Sequence, residues 1–349
     1  MIYPLLVLVI ILFEVRKTNG LEEKYDRAFS IALWWILILM ATFRSASVGA
    51  DTPGYIEDYE SMPMMSFSEI RVRYAGYLGY YYPGKFLSLL GLPYQVWFGF
   101  VEGLYVYSLY RFVKKFSKDN IYSILIFVTN GLFTFSLAGQ KQVMSMGLFL
   151  MAFVLFTEKR YLKMILVALW GGACHSSGLI FIFAFGLYVF RNAKFFVYVA
   201  LGLAISIFAL ANVFTTQLVV LLASAIGSGE HFEDYLELDT SYTPVTLFFY
   251  IGSVIMAMFF IVGYWKKYKG EGAFTYGMCF MACAMQSLSG INPSLFRLAL
   301  PFTPFFMILL PNTASTIRNK QKRILYNLAI WLWHICYFLI TTKEPFEFM

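Results

Sequence analysis

The chain has 349 residues, 60% of them hydrophobic and 13% charged, with a formal net charge of +7 and a mean hydropathy of +0.67. A soluble domain carries about 25% charged residues, so this composition excludes one and reads as a polytopic membrane protein. No Lys/Arg-rich surface with interleaved aromatics accompanies the positive charge, which argues against nucleic acid as a partner; Cys174, Cys279, Cys283 and Cys336 sit in or beside apolar runs, which argues against a disulfide framework.

Apolar runs fall at 2–13, 28–43, 92–110, 121–138, 143–157, 164–174, 176–190, 195–222, 244–264, 273–289, 298–311 and 324–341. A spanning helix needs roughly 17 to 25 residues, so several runs must be completed by flanking polar residues, tilt or shelter inside a bundle. The expectation is an all-α integral membrane bundle of about 12 transmembrane segments, with 1–349 as one transmembrane domain and larger outer loops at 44–91 and 223–243. Met1 to Phe13 lacks a basic leader and a small-residue cleavage site, so it reads as a retained segment. With the N-terminus outside, the connections at 16–27, 111–118, 159–163, 191–194, 266–269 and 318–323 hold most of the 27 basic residues on the cytoplasmic side. The exceptions are Arg44, Arg71, Arg73, Lys85, Lys141, Arg297 and Lys343, and all but the last flank segments that can face a common outer cavity.

The stretch 44–59 leaves the second apolar run and sets one cation and several carboxylates outside the hydrocarbon. Gly49 permits positive φ, Asp51 and Thr52 side chains bond to nearby backbone, and Pro53-Gly54 is expected to delay the next helix. Residues 71–82 follow, rich in Tyr and Arg; tyrosine suits both sugar stacking and the membrane interface. Glu102 is the acid well inside an apolar run and implies a cavity or a partner there. At 139–142 the chain reads Gly-Gln-Lys-Gln at a helix start, where Lys141 is either a snorkelling cation or an anion ligand.

Positive-inside parity makes 163–194 a hairpin of two half-length arms with His175 at a Gly-rich tip, as a base or a donor to a phosphate oxygen. His231 reads as a loop residue, His334 as helix packing, and Cys279 with Cys283 as packing. The acids between 230 and 239 mark the second outer loop, and Arg297 closes an outer turn at 289–297.

Four of these elements carry a resemblance. Arg44-x-x-x-Val48-Gly49-x-Asp51-Thr52-x-x-Tyr55 resembles the signature loop of the EpsG-like family, grouped with the Wzy polymerases of O-antigen and capsule. Lys141 and Gln142 stand where the family has Gly-x-Arg-Gln; His175-Ser176-Ser177-Gly178 resembles its His-x-Ser followed by a small residue; Arg297 with Pro301 and Pro304 resembles its late Arg before a Pro-containing helix. Tyr82-Pro83-Gly84 departs from the pattern, where Glu often precedes a Pro-Gly-like turn, so a base here would come from Asp51, Glu57 or Asp58.

The resemblance implies a GT-C-like bundle and a glycosyltransferase joining undecaprenyl-diphosphate-linked repeat units, both donor and acceptor, on the outer face of the inner membrane. It also implies a flippase and a chain-length regulator as partners. Arg44, Lys141 and Arg297 would hold the diphosphate, with Gln142, Tyr55, Arg71 and Arg73 also binding substrate, and Asp51 or His175 would manage the proton. No cofactor and no metal are demanded, although a divalent ion on the acidic outer loops stays an alternative. The competing classes are a lipid-linked oligosaccharide flippase or transporter, an O-antigen ligase-like transferase, and, weakest, a membrane acyltransferase.

Overall fold

A computed structural model describes residues 2–18, 23–193, 196–213, 242–260, 270–290, 293–342 and 346–348. Among these residues the structure is helical, and its β-pairing is an isolated bridge between Arg44 and Phe348. The outer loop expected at 223–243 and the basic residues at 266–269 lie almost wholly outside the described residues, as do His231 and Lys343. The chain divides into two compact units, one of Met1–Phe116, Asn120–Leu179 and Thr342–Met349, the other of Ser117–Asp119 and Ile180–Thr341.

In the first unit α1 (Ile2–Thr18) and α2 (Glu23–Thr42) precede the polar stretch. That stretch folds into α3 (Thr52–Ser61), α4 (Phe67–Arg73) and α5 (Leu78–Leu89). Pro53 does not delay α3: it occupies the first helical turn, where a missing N–H costs nothing, and the helix starts at Thr52. Ser66 and Glu69 form a reciprocal capping box on α4, with bonds of 3.2 and 2.6 Å. Pro83 and Gly84 make no turn either and lie inside α5. The helix tolerates Pro83 because the carbonyl it cannot serve, that of Gly79 four residues back, accepts a 2.9 Å bond from the Trp170 indole.

The unit continues with α6 (Tyr94–Phe116), α7 (Asn120–Thr129), α8 (Leu132–Ala138), α9 (Gln140–Thr157) and α10 (Tyr161–Cys174). The apolar run at 121–138 is bent by 56° between α7 and α8. Gly131 turns the chain at φ +85° while Asn130 Oδ1 accepts from the Leu132 N–H. Helix α9 is the centre of this unit: all its residues are buried except Lys141, Phe156 and Thr157. Glu102 finds its partner on α8, accepting from Ser136 Oγ at 2.9 Å.

The second unit contains α11 (Ile182–Val189), α12 (Phe196–Val213), α13 (Tyr242–Phe260), α14 (Glu271–Ser287), α15 (Phe306–Thr316) and α16 (Lys320–Thr341). Helix α14 is largely buried, and α12 and α14 come close because Gly277 leaves room for Phe196 and Ala200. His334 is a packing residue, buried and 3.2 Å from Ser253 Oγ. Cys279 and Cys283 are unlinked thiols.

Among the described residues Tyr25–Thr42, Gln140–Thr157 and Lys320–Thr341 are long and apolar enough to cross a membrane, and the bent α7–α8 pair makes a fourth if taken as one span. Other apolar runs are interrupted: Tyr161–Cys174 and Ser176–Val189 are short helical pieces. The chain is thus a helical membrane protein with both full-length and broken apolar elements.

Candidate functional site

The turn after α2 is fixed from both sides. Gly49 has φ +89°, and a Cβ there would stand 2.4 Å from the Leu137 carbonyl oxygen. Thr52 Oγ1 bonds the Val48 carbonyl at 2.7 Å and lies 3.1 Å from that of Leu137. The Gly-x-Asp-Thr segment is therefore moulded on the end of α8. Its aspartate is not part of the mould: Asp51 is exposed and makes no side-chain cap bond.

Seven residues, or two turns and about 10 Å, further along the same face stands Asp58. Its Oδ1 accepts from the Tyr74 hydroxyl at 2.5 Å and its Oδ2 from the Tyr81 hydroxyl at 2.6 Å. Arg73 lies 3.9 Å from Oδ1 and over the Tyr74 ring. Tyr74 and Tyr81 stack at 3.7 Å, so the facing side of each ring is committed to protein rather than free for sugar. Burial, with the Asp58 carboxylate next, raises the pKa of both hydroxyls well above the ordinary tyrosine value.

Lys141 adjoins this cluster from the first turn of α9. Its Nζ is 3.4 Å from the Tyr81 hydroxyl and lies 4.6, 5.3 and 5.5 Å from the ring centres of Tyr77, Tyr55 and Tyr81. The result is an aromatic cage around a half-buried ammonium, joined through Tyr81 to Asp58. Beside it Tyr80 donates to Gln140 Oε1 at 2.7 Å, and its ring is 5.8 Å from Tyr55.

His175 follows because Lys141 and Ser145 are one turn apart on one face of α9. Ser145 Oγ bonds the carbonyls of Gly171 and His175, at 2.8 and 3.0 Å, and holds the end of α10 where the chain turns extended at His175. The imidazole lies 5.4 Å from the Tyr77 ring, the ring that Lys141 approaches to 4.6 Å. The Ser177 N–H donates to Nδ1 at 3.1 Å, with Ser177 Oγ 2.8 Å away. Nδ1 is therefore an acceptor, and the neutral ring carries its proton on Nε2, which suits donation to an oxyanion better than proton abstraction. Gly178 is required to be small: a Cβ there would meet Ser145 Oγ at 2.1 Å.

The family whose model matches this pattern is EpsG, over residues 27–349. The chain belongs to the EpsG family. No curated protein and no solved structure matches it. Membership makes it a membrane protein of polysaccharide biosynthesis with a polymerase-like, glycosyltransferase-type role.

Of the EpsG motif residues the structure brings together Tyr55, Lys141 and His175, and Arg73 joins them through Asp58. Gln142 is buried on α9, and Arg71 is exposed on α4. Arg44 is 1% exposed: it closes the end of α2 on the Ala41 carbonyl and lies 4.5 Å over Phe98, a member of the apolar cluster that holds Tyr55, Tyr80 and Tyr81. Among the described residues its Nε and Nη2 have no hydrogen-bond partner, and burial lowers its pKa against the opposing pull of Glu102. Arg297 belongs to the second unit, on the turn Pro293–Leu298.

Lys85 does not face a cavity. It is buried and donates to the carbonyls of Met62, Pro63 and Met65, which makes it a brace between α5 and the end of α3. Among the described residues no group of three or more His, Cys, Asp or Glu is placed to hold a metal ion. The residues that sequence motifs understated are Asp58, Tyr74, Tyr77 and Tyr81. Their signal was the tyrosine density at 74–82 opposite a helix face bearing Tyr55 and Asp58 at i and i+3.

Proposed function

We propose that this EpsG protein is a polymerase that joins undecaprenyl-diphosphate-linked oligosaccharide units on the outer face of the inner membrane, within a GT-C-like bundle of about 12 crossings. The observation that carries the reading is the convergence of two separate family motifs, Lys141 and His175, on the Tyr77 ring, with Tyr55 of the signature loop in the same cage.

The acceptor hydroxyl oxygen bonds the anomeric carbon of the donor sugar as the bond from that carbon to the diphosphate breaks, and the diphosphate leaves with the bonding pair. Lys141 and the Nε2–H of His175 face the growing negative charge, and Arg73 adds a second cation beside them. The hydroxyl proton goes to Asp58, which two tyrosine hydroxyls already orient. Asp51 is the competing base, at the other end of the same helix face. Arg44 and Arg297 are the further diphosphate ligands that the family motifs propose. A flippase and a chain-length regulator are the expected partners.

The test is the surface polysaccharide ladder of a host that supplies the lipid-linked repeat, with this gene intact, deleted, or carrying Lys141→Met, His175→Phe, Asp58→Asn or Asp51→Asn. Polymerisation predicts that deletion leaves a single capped repeat. Lys141→Met, His175→Phe and Asp58→Asn then collapse the ladder at unchanged protein level, whereas Asp51→Asn leaves it. Loss of all surface repeat with lipid-linked units accumulating inside refutes the polymerase in favour of a flippase, and a ladder lost with Asp51→Asn but kept with Asp58→Asn moves the base.

A further inference from the structure

Away from the tyrosine cluster, the first unit holds a cavity of about 580 Å³ along the seam of α2 and α6, lined by Ile31, Trp35 and Ile38 on one helix and Gly103, Tyr107 and Tyr110 on the other. Two glycines one turn apart shape it. Gly99 lets Thr42 approach to 2.9 Å of where its Cβ would be, so the helices touch there, whereas a Cβ on Gly103 would meet nothing within 4 Å and the helices part. From Gly99 to Tyr110 the groove runs eleven residues, about 16 Å, half of a hydrocarbon core of about 30 Å. Its walls are open to the unit's surface, Trp35 being 60% and Phe100 42% exposed.

A cluster of charge stands at the Tyr110 mouth. Arg111 Nη1 is 3.4 Å from the Tyr107 hydroxyl, and Lys114 Nζ lies 5.7 Å over the Tyr110 ring. Glu158 takes Arg111 at 2.9 Å, Arg160 at 3.6 Å and Lys115 at 3.9 Å, so one carboxylate faces three cations and Lys114 adds a fourth. An apolar slot one leaflet long, with amphipathic tyrosines and surplus cations at its end, is complementary to one acyl chain attached to an anionic headgroup.

We propose that the α2–α6 groove is a binding site for an anionic phospholipid, one acyl chain lying against Gly103 and the phosphodiester at Arg111, Lys114 and Lys115. The site is separate from the tyrosine cluster and independent of the polymerase reading.

The test reconstitutes the full chain in phosphatidylcholine vesicles and adds phosphatidylglycerol with brominated chains, reading quenching of the tryptophans, two of which, Trp34 and Trp35, line the groove. The expected result is saturable quenching at several-fold lower mole fraction than with brominated phosphatidylcholine, weakened by salt. Gly103→Leu, which fills open space, removes the preference; Lys114→Gln, on an exposed side chain, shifts it toward that of the zwitterionic lipid. Equal quenching by the two lipids overturns the proposal, and so does a preference that both variants leave intact. Displacement of the brominated lipid by an isoprenyl phosphate at lower mole fraction also overturns it, because the occupant would then be an isoprenoid carrier.

Discussion

Removing the Trp170 indole N–H tests how α5, and with it the tyrosine cluster, is held against α10. Trp170→Phe keeps most of the ring volume and deletes the donor that serves the Gly79 carbonyl, which Pro83 leaves without a helical partner. A neutral hydrogen bond contributes about 1 kcal/mol net, and stranding a buried carbonyl costs about 1 to 3 kcal/mol; with Trp170 only partly buried the expected loss is about 1.5 kcal/mol. Pro83→Ala supplies a backbone N–H four residues on from Gly79, so in that background the same Trp170→Phe change costs about 0.5 kcal/mol. The coupling of about 1 kcal/mol is roughly a fivefold difference in the unfolding equilibrium, readable by circular dichroism during SDS-driven unfolding of the four proteins in micelles. If Trp170→Phe costs the same in both backgrounds, the indole does not replace the missing amide and the reasoning fails. Gly79 also lies where a Cβ would stand 2.7 Å from the Ala173 backbone, next to His175, so polysaccharide ladder length should fall and recover in step with stability.

Further outcomes follow from other contacts. Gly49→Ala meets both a positive φ and a backbone carbonyl at 2.4 Å that cannot move aside, and is expected to lose more than about 2 kcal/mol, seen as loss of folded protein on size-exclusion chromatography. Lys85→Met removes an ammonium shared by three carbonyls, of which that of Met62 keeps the Met65 N–H, and is expected to cost about 2 kcal/mol in the same SDS titration. Tyr74 and Tyr81 have pKa values raised in the folded state, so their contribution is complete below about pH 10 and is lost as pH climbs above it, where the unfolded chain releases those protons first. The Tyr74→Phe/Tyr81→Phe double variant should therefore show a shallower alkaline fall in stability than the parent, measured between pH 9 and 12.

Helical class and break points could be read from the sequence wherever the cause is local. Gly49 and the Gly-rich tip at 171–178 mark themselves, because a positive φ or a close approach selects glycine within a few residues. What could not be read depends on groups far apart in the chain. Pro83 looks like a turn until Trp170, 91 residues from Gly79, takes up the stranded carbonyl. Lys85 looks like an outward cation until the bend after α3 turns three carbonyls on it. Asp51 and Asp58 share a helix face, and only the placement of Tyr74 and Tyr81 selects the second. Arg44 follows an apolar run and reads as interfacial, whereas Phe98 and the bridge to Phe348 cover it.

That bridge has a consequence in time. Arg44 pairs with Phe348, the Ser45 N–H donates to the Glu347 carbonyl, and Ser47 Oγ bonds the Glu347 carboxylate across 300 residues of chain. During synthesis at about 5 to 20 residues per second, the signature turn waits some 15 to 60 s after leaving the ribosome before its partner segment exists. The α8 contacts of the turn become possible once Leu137 is made, about 90 residues after Gly49, whereas its bridge to Phe348 forms only when almost all the other helices of the chain have been synthesised.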